Sequence, residues 1–238
     1  KSCHIGGIAK GSGMIHPNMA TMLVFITTDC AISPAMLQKA LSTDIANTFN
    51  MVSVDGDTST NDMVTVLANG LAGNAEITEE GADYDAFREA LLYLNTTLAR
   101  RMAGDGEGAT ALLEVKVVGA DTRENARILS KSVVCSSLVK AMIYGHDANA
   151  GRILCALGYS GVQFDPDKVE VCFVGEDGNI WVYKDGKMPA FDEERATKLL
   201  SQPEVTVLVD MKMGSGSATA WGCDLSYDYV KINADYRS

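Results

Sequence analysis

The sequence predicts an α/β chain of the α+β kind, with layered sheets and helices and a C-terminal α/β unit built on a mixed sheet. Short β-branched runs recur between longer segments of helical spacing, the two alternate from Ala111 onward, and Gly, Asp and Asn clusters punctuate them. With 238 residues, 47% of them hydrophobic and 21% charged, the chain can bury one good core, or two smaller ones sharing an interface, which excludes disorder.

Residues 22–28 (Met-Leu-Val-Phe-Ile-Thr-Thr) have the pattern of a buried strand, with Thr21 at its start. Ser33-Pro34 supplies an N-cap and first-turn pair, and Leu37, Leu41, Ile45 and Phe49 follow at near-helical spacing, predicting an amphipathic helix. Residues 54–62 lack apolar periodicity and are dense in turn formers, so they predict a loop, followed by a helix through Val64, Val66, Leu67 and Leu71. A further helix is expected over about residues 84–102, ending at the loop Gly104-Asp105-Gly106-Glu107-Gly108. Beyond it the pattern predicts a strand at 112–118, a helix from 121 to about 134, and strands 169–174 and 180–183 around the turn Glu176-Asp177-Gly178-Asn179. A helix at 192–200 and a strand at 205–209 complete it. The change of texture places a boundary near Thr110, separating residues 21–110 from 111–238.

The formal charge is −11, and no basic cluster is longer than Arg100-Arg101. That argues against nucleic acid, which needs a basic face. Six cysteines are widely spread without a CxxC pair, so metal-knuckle spacing is absent and the thiols read as reduced and structural, in a cytoplasmic compartment. No run approaches the roughly 20 apolar residues of a membrane span. The first residue is Lys1 and residues 1–10 have no signal-peptide pattern, which suggests further sequence upstream.

Three segments can carry chemistry. Gly6-Gly7-Ile8-Ala9-Lys10-Gly11-Ser12-Gly13 lets the backbone approach a ligand or another strand, with Lys10 as a cation for a carboxylate or phosphate; the plainer reading is a flexible connector. It is not a P-loop, because the glycine–lysine spacing is wrong. Gly104-Asp105-Gly106-Glu107-Gly108-Ala109-Thr110 can hold a carboxylate near a substrate ammonium, or be a solvated turn. Asp55 and Asp57 are two carboxylates without the rest of a metal-loop signature, so no metal is assigned. His4 and His16 read as surface residues more readily than as ligands. The small-residue stretch from Gly214 to Trp221 permits tight packing, with Trp221 filling core.

Taken together, these segments resemble the ornithine acetyltransferase family, the bifunctional glutamate N-acetyltransferases of arginine biosynthesis. The matching pieces are Gly11-Ser12-Gly13-Met14-Ile15, Pro17-Asn18-Met19-Ala20-Thr21-Met22-Leu23, Val54-Asp55-Gly56-Asp57-Thr58-Ser59-Thr60-Asn61-Asp62 and Gly106-Glu107-Gly108-Ala109-Thr110. Ser137-Leu138-Val139-Lys140, Gly151-Arg152-Ile153-Leu154, Ala220-Trp221-Gly222-Cys223-Asp224-Leu225 and the terminal Tyr229-Val230-Lys231-Ile232-Asn233-Ala234-Asp235-Tyr236-Arg237-Ser238 follow in the family's order.

The resemblance implies a precursor that cuts itself between Ala20 and Thr21, leaving residues 1–20 as the tail of an α chain and Thr21 as the first residue of a β chain. It implies that the Thr21 hydroxyl is the catalytic nucleophile, with its freed α-amine, of ordinary pKa about 7.7–8.0, as the base. The implied reaction is ping-pong. Thr21 takes acetyl from N2-acetylornithine and passes it to glutamate; some members also use acetyl-CoA as donor, and neither metal nor bound cofactor is implied. Lys10, Thr21, Glu107, Asn233 and Ser238 are the implied substrate contacts, Lys10 for a carboxylate and Glu107 for an ammonium. The family's partner is the α chain of the same precursor in an α₂β₂ assembly, and that chain supplies the oxyanion donors, without which residues 1–238 are expected to be nearly inactive. An N-terminal-threonine amidohydrolase or aminopeptidase, and a non-catalytic subunit of the same fold, are the rival readings.

Overall fold

Residues 1–16, 22–58 and 60–235 are described by the structure, a computed structural model. The first elements are β1 (Ile5–Lys10), β2 (Leu23–Thr28), α1 (Pro34–Ile45), a 3₁₀ turn (Phe49–Met51), the short strand β3 (Val52–Ser53), β4 (Met63–Ala68) and the long helix α2 (Ala82–Gly104). They are followed by β5 (Leu112–Ala120), α3 (Arg123–Cys135), α4 (Ser137–Tyr144) and α5 (Ala150–Gly158). The chain continues with β6 (Glu170–Val174), β7 (Ile180–Tyr183), α6 (Glu193–Leu200), β8 (Glu204–Asp210), β9 (Gly216–Cys223) and α7 (Tyr227–Asp235).

Two sheets result, one of three strands in the order β1-β2-β4 and one of six in the order β3-β9-β5-β8-β6-β7. The larger is mixed, as expected: β5 runs parallel to β8 and antiparallel to β9. Its centre is buried on both faces because α3 covers β5 and β9 while α2 lies on the other side, reaching β1 of the small sheet as well. Tyr84, Phe87, Leu91, Leu98 and Met102 give α2 the apolar stripe that joins the two sheets.

Two expectations are corrected. The helix expected through Val64, Val66, Leu67 and Leu71 is the strand β4, parallel to β2 with Val24 opposite Val64 and Ile26 opposite Val66. The β-branched run Val64-Thr65-Val66 fits the open edge of β2, and Gly70 and Gly73, both at positive φ, end the strand in a turn. The glycine-rich segment before Lys10 is likewise a strand and not a connector. At Gly7 a β-carbon would sit 3.0 Å from Ile26 and 3.1 Å from the Phe25 carbonyl, so the missing side chain is what lets β1 lie against β2.

The helix after Ser33-Pro34 ends at Ile45, short of Phe49, and its buried face is Met36, Ala40 and Asp44. Ser33 caps it, accepting from the Met36 amide at 3.4 Å. Asp44 is thus a carboxylate in a core, 3% exposed, against the Asn95 side-chain amide of α2 at 3.4 Å. Burial, only partly offset by that hydrogen bond, pushes its carboxyl up to about 6. The folded state therefore holds this proton more tightly than the unfolded chain, and stability falls as pH rises from about 4 to 6. Asp44→Asn should raise neutral-pH stability by about 1–2 kcal/mol and flatten that decline. Urea melts across the pH range check it; an unchanged slope would refute the assignment.

Candidate active site

The sequence motifs converge where β1, the loop after β3 and the N-terminal part of α7 meet. Asp55 is the hub. Its carboxylate accepts from the Met14 amide at 2.6 Å, the Ile15 amide at 3.1 Å and the Asp57 amide at 3.2 Å, and from the Tyr229 hydroxyl of α7 at 3.3 Å. Met14 takes a left-handed backbone (φ 53°), a strain of the kind that persists only where surrounding bonds fix it. The Val54 amide donates to the Ile15 carbonyl at 2.7 Å, locking the same stretch from the other side. Burial first, then the charge and hydrogen bond of Asp55, push the Tyr229 phenol up to about 12, so this hydroxyl remains a donor at any ordinary pH.

The loop 54–62 also reaches both flanks of residues 17–21. Upstream, the Thr58 hydroxyl donates to the His16 carbonyl at 3.1 Å and the His16 ring meets the Ser53 hydroxyl at 3.0 Å. Downstream, the Met22 amide donates to Asp62 at 2.5 Å and the Met63 amide to the Met22 carbonyl at 2.8 Å. Burial raises the Asp62 carboxyl, with the Met22 amide opposing, and its second oxygen is buried without a hydrogen-bond partner among the described residues. His16 is half-buried, contrary to its reading as a surface residue, and burial followed by the Lys131 charge lowers its pKa, keeping the ring neutral. His4 is exposed and pairs with Asp29 at 2.9 Å.

Of the expected substrate residues, Glu107 and Asn233 are brought together, the Asn233 amide donating to the Glu107 carboxylate at 3.0 Å. Glu107 is tied to the end of β1, its amide donating to the Ser12 carbonyl at 2.9 Å, and the carboxylate occupies the space where a β-carbon at Gly13 would stand. Gly108 (φ +68°) allows the close approach of α7, where a β-carbon would lie 2.5 Å from the Tyr229 amide nitrogen. Ser226 completes this docking by donating to the Gly108 carbonyl at 2.6 Å. Lys10, on the outer face at the end of β1, borders a groove of about 540 Å³ with Gly11, Ser12, Arg101 and Asp105. Ala20, Thr21 and Ser238 lie outside the described residues.

Sequence reasoning gave no role to Asp62, Tyr229 or Asp224. The last of these accepts from the Thr110 amide at 2.8 Å, its hydroxyl at 2.6 Å and the Ala111 amide at 3.1 Å, fixing the exit of the Glu107 loop. All three lie inside the motifs that carried the resemblance, but an acid or a phenol in a polar stretch does not reveal which distant amide it will meet. Among the described residues no cluster of three or more His, Cys, Asp or Glu side chains is grouped to hold a metal. No described helix is long and apolar enough to cross a membrane.

The ArgJ family model matches residues 1–238. The chain belongs to the ArgJ family. It is 53% identical over its whole length to the arginine biosynthesis bifunctional protein ArgJ of Caldanaerobacter subterraneus, covering 59% of that protein. With the ArgJ of Thermotoga neapolitana the identity is 52% and the share covered 60%, so the chain spans somewhat under two thirds of these curated relatives. A crystal structure of ArgJ from Bacillus halodurans superposes with a TM-score of 0.83 at 46% identity, over 88% of this chain and 97% of that one. The ArgJ-like fold therefore carries the Asp55 hub, and Asp55→Ala should speed amide exchange at Met14 and Ile15 and cost roughly 1–3 kcal/mol. Tyr229→Phe, which removes a single donor, should cost less. Unchanged exchange at both amides in Asp55→Ala would remove Asp55 from that role.

Proposed function

We propose that this chain carries the nucleophile-bearing part of a self-cleaving acetyltransferase that moves acetyl from N2-acetylornithine to glutamate in arginine biosynthesis. The observation that carries this reading is that one loop holds both His16 and Met22, the residues on either side of 17–21, while Glu107 and Asn233 are paired beside Gly13. A segment that must present one peptide bond to its own hydroxyl needs fixed ends, because misplacement by about 1 Å can cost 10²-fold in rate.

In the proposed sequence the Thr21 hydroxyl attacks the Ala20 carbonyl carbon, the acyl group shifts from nitrogen to oxygen, and water hydrolyses the ester. The products are an Ala20 carboxylate and a Thr21 bearing both a free α-amine and its hydroxyl. The neutral amine then takes the hydroxyl proton as Thr21 attacks the acetyl carbon of acetylornithine. Ornithine leaves, and the acetyl ester is passed to the amine of glutamate. Lys10, with Arg101 in the same groove, suits a substrate carboxylate, and Glu107, already held by Asn233, suits an ammonium. Asp62 is proposed as a positioning residue, since it holds the Met22 amide, one peptide unit from the Thr21 amine.

The remainder of the precursor is proposed as the partner, in an α₂β₂ assembly. Its seat would be the outer face of the small sheet, where Ile8 (70% exposed), Phe25 (42%) and Leu67 (60%) stand uncovered. The oxyanion donors would come from that part.

Full-length precursor carrying Thr21→Ala should remain a single polypeptide by intact mass and form no acetyl-enzyme. The unaltered protein should appear as two pieces and, given acetylornithine alone, gain one acetyl group on the later piece. Free acetate released at equal rates with and without glutamate would replace the transferase reading with a hydrolase. Asp62→Ala should slow cleavage and transfer roughly 10–100-fold. Glu107→Gln should mainly raise KM for acetylornithine while leaving self-cleavage intact; cleavage lost in parallel would count against a substrate role.

A further inference from the structure

Two thiols that the proposed chemistry does not use gather on one side chain, Asn74, at the outer end of the β1–β2 ladder. The register sets Ile5 opposite Thr28, and the Asp29 amide donates to the His4 carbonyl at 3.3 Å. Continued by one more position, it sets Cys3 opposite Cys30. In an antiparallel ladder, facing residues of either kind have Cα atoms about 4.5–5.5 Å apart. That lies within the ~4.4–6.8 Å window a disulfide spans.

Both sulfurs also meet one side chain. The Cys3 thiol lies 3.6 Å from the Asn74 carbonyl oxygen, and the Asn74 amide nitrogen lies 3.7 Å from the Cys30 sulfur. Burial pushes the Cys30 thiol up to about 11, and the neighbouring Cys3 adds to the rise. Their access differs. Cys3 is exposed and Cys30 only 2% exposed, yet both line a cavity of about 370 Å³ bounded by Asn74, Asp83 and Phe87.

We propose that Cys3 and Cys30 form a reversible disulfide site whose co-reactant is a low-molecular-weight disulfide. The exposed Cys3 thiolate attacks one sulfur of the small disulfide, making a mixed disulfide and releasing one small thiol. Cys30, giving its proton to solvent, attacks the Cys3 sulfur and expels the second. Two protein thiols become one disulfide while the small disulfide is reduced to two thiols, and excess small thiol reverses the exchange. Cys3 precedes and Cys30 follows residues 17–21 in the sequence, so on the self-cleavage reading, on which this consequence rests, the bond would tie the α-chain tail to the β chain.

The test uses the full-length precursor, reduced, then treated with oxidised glutathione, alkylated under denaturing conditions and mapped by peptide mass. A Cys3–Cys30-linked peptide with the loss of two hydrogens is expected, and it should vanish in Cys3→Ser, a change at an exposed position, and in Cys30→Ala. On a denaturing gel without reductant the two pieces should run as one species, separating when reductant is added. Should the precursor prove uncut, self-cleavage fails while the linked peptide still decides the thiol pair. Recovery of Cys30 as a free, alkylated thiol, with Cys3 either untouched or left as a glutathione adduct, would overturn the proposal.

Discussion

A single carboxylate, Asp55, fixes the geometry on which the rest of the candidate site depends. It takes hydrogen bonds from the stretch after β1, from its own turn and from α7, three pieces of chain distant in sequence. Charge-assisted hydrogen bonds are roughly twice as strong as neutral ones, and those from the part-buried Ile15 amide and Tyr229 hydroxyl also spare a donor from burial without a partner. Met14 can occupy its left-handed backbone because two consecutive amides are claimed by the same carboxylate. With Met14 and Ile15 placed, Gly13 lies against the Glu107 carboxylate, and α7 closes over the Glu107 loop through Gly108 and Ser226.

The two sheets divide the work. The large sheet supplies stability through its doubly covered centre, where Glu114 accepts from the Trp221 ring at 2.7 Å and from Lys116 at 2.9 Å. Burial raises the Glu114 carboxyl, but these donors and Arg100 outweigh it and the net shift is downward. The small sheet has only one covered face, so its outer residues are free to meet another surface. α2 couples the two, and its last turn delivers the chain straight into the Glu107 loop.

Much of the fold was legible because the relevant energies are local. The strand at 112–118, the helix after Asp121 and the Ser33-Pro34 cap follow from periodicity and capping chemistry that neighbouring residues settle among themselves. β4 was misread because Val64, Leu67 and Leu71 also fit a helical face, and only the free edge of β2 decides for a strand. β9 (Gly-Ser-Ala-Thr-Ala-Trp-Gly-Cys) went unassigned because its small residues answer to α3: a β-carbon at Gly222 would sit 2.7 Å from Val134 and 2.6 Å from the Ser53 carbonyl. α7 buries no residue among those described, so it has little apolar signature to read; it is held by Tyr229 on Asp55, Asn233 on Glu107 and the edge contact of the Tyr227 and Tyr144 rings. The motifs gather at the candidate site, but the hydrogen bonds of Asp62 and Tyr229 are visible only with their distant partners.

The β1–β2 ladder has a mechanical consequence. Six consecutive positions pair across it, and residues 17–21 form part of the backbone path between the two strands. A break there would turn an intramolecular hairpin into two strands of separate molecules without removing a paired position. The pieces would then part only by unzipping the ladder, stripping β1 from α2 and breaking the Asp55 bonds to Met14 and Ile15 in one event. With Cys3 and Cys30 reduced, such a nick would leave retention of the pieces governed by a dissociation rate, as in a protein reconstituted from fragments, where the peptide bond had made it absolute.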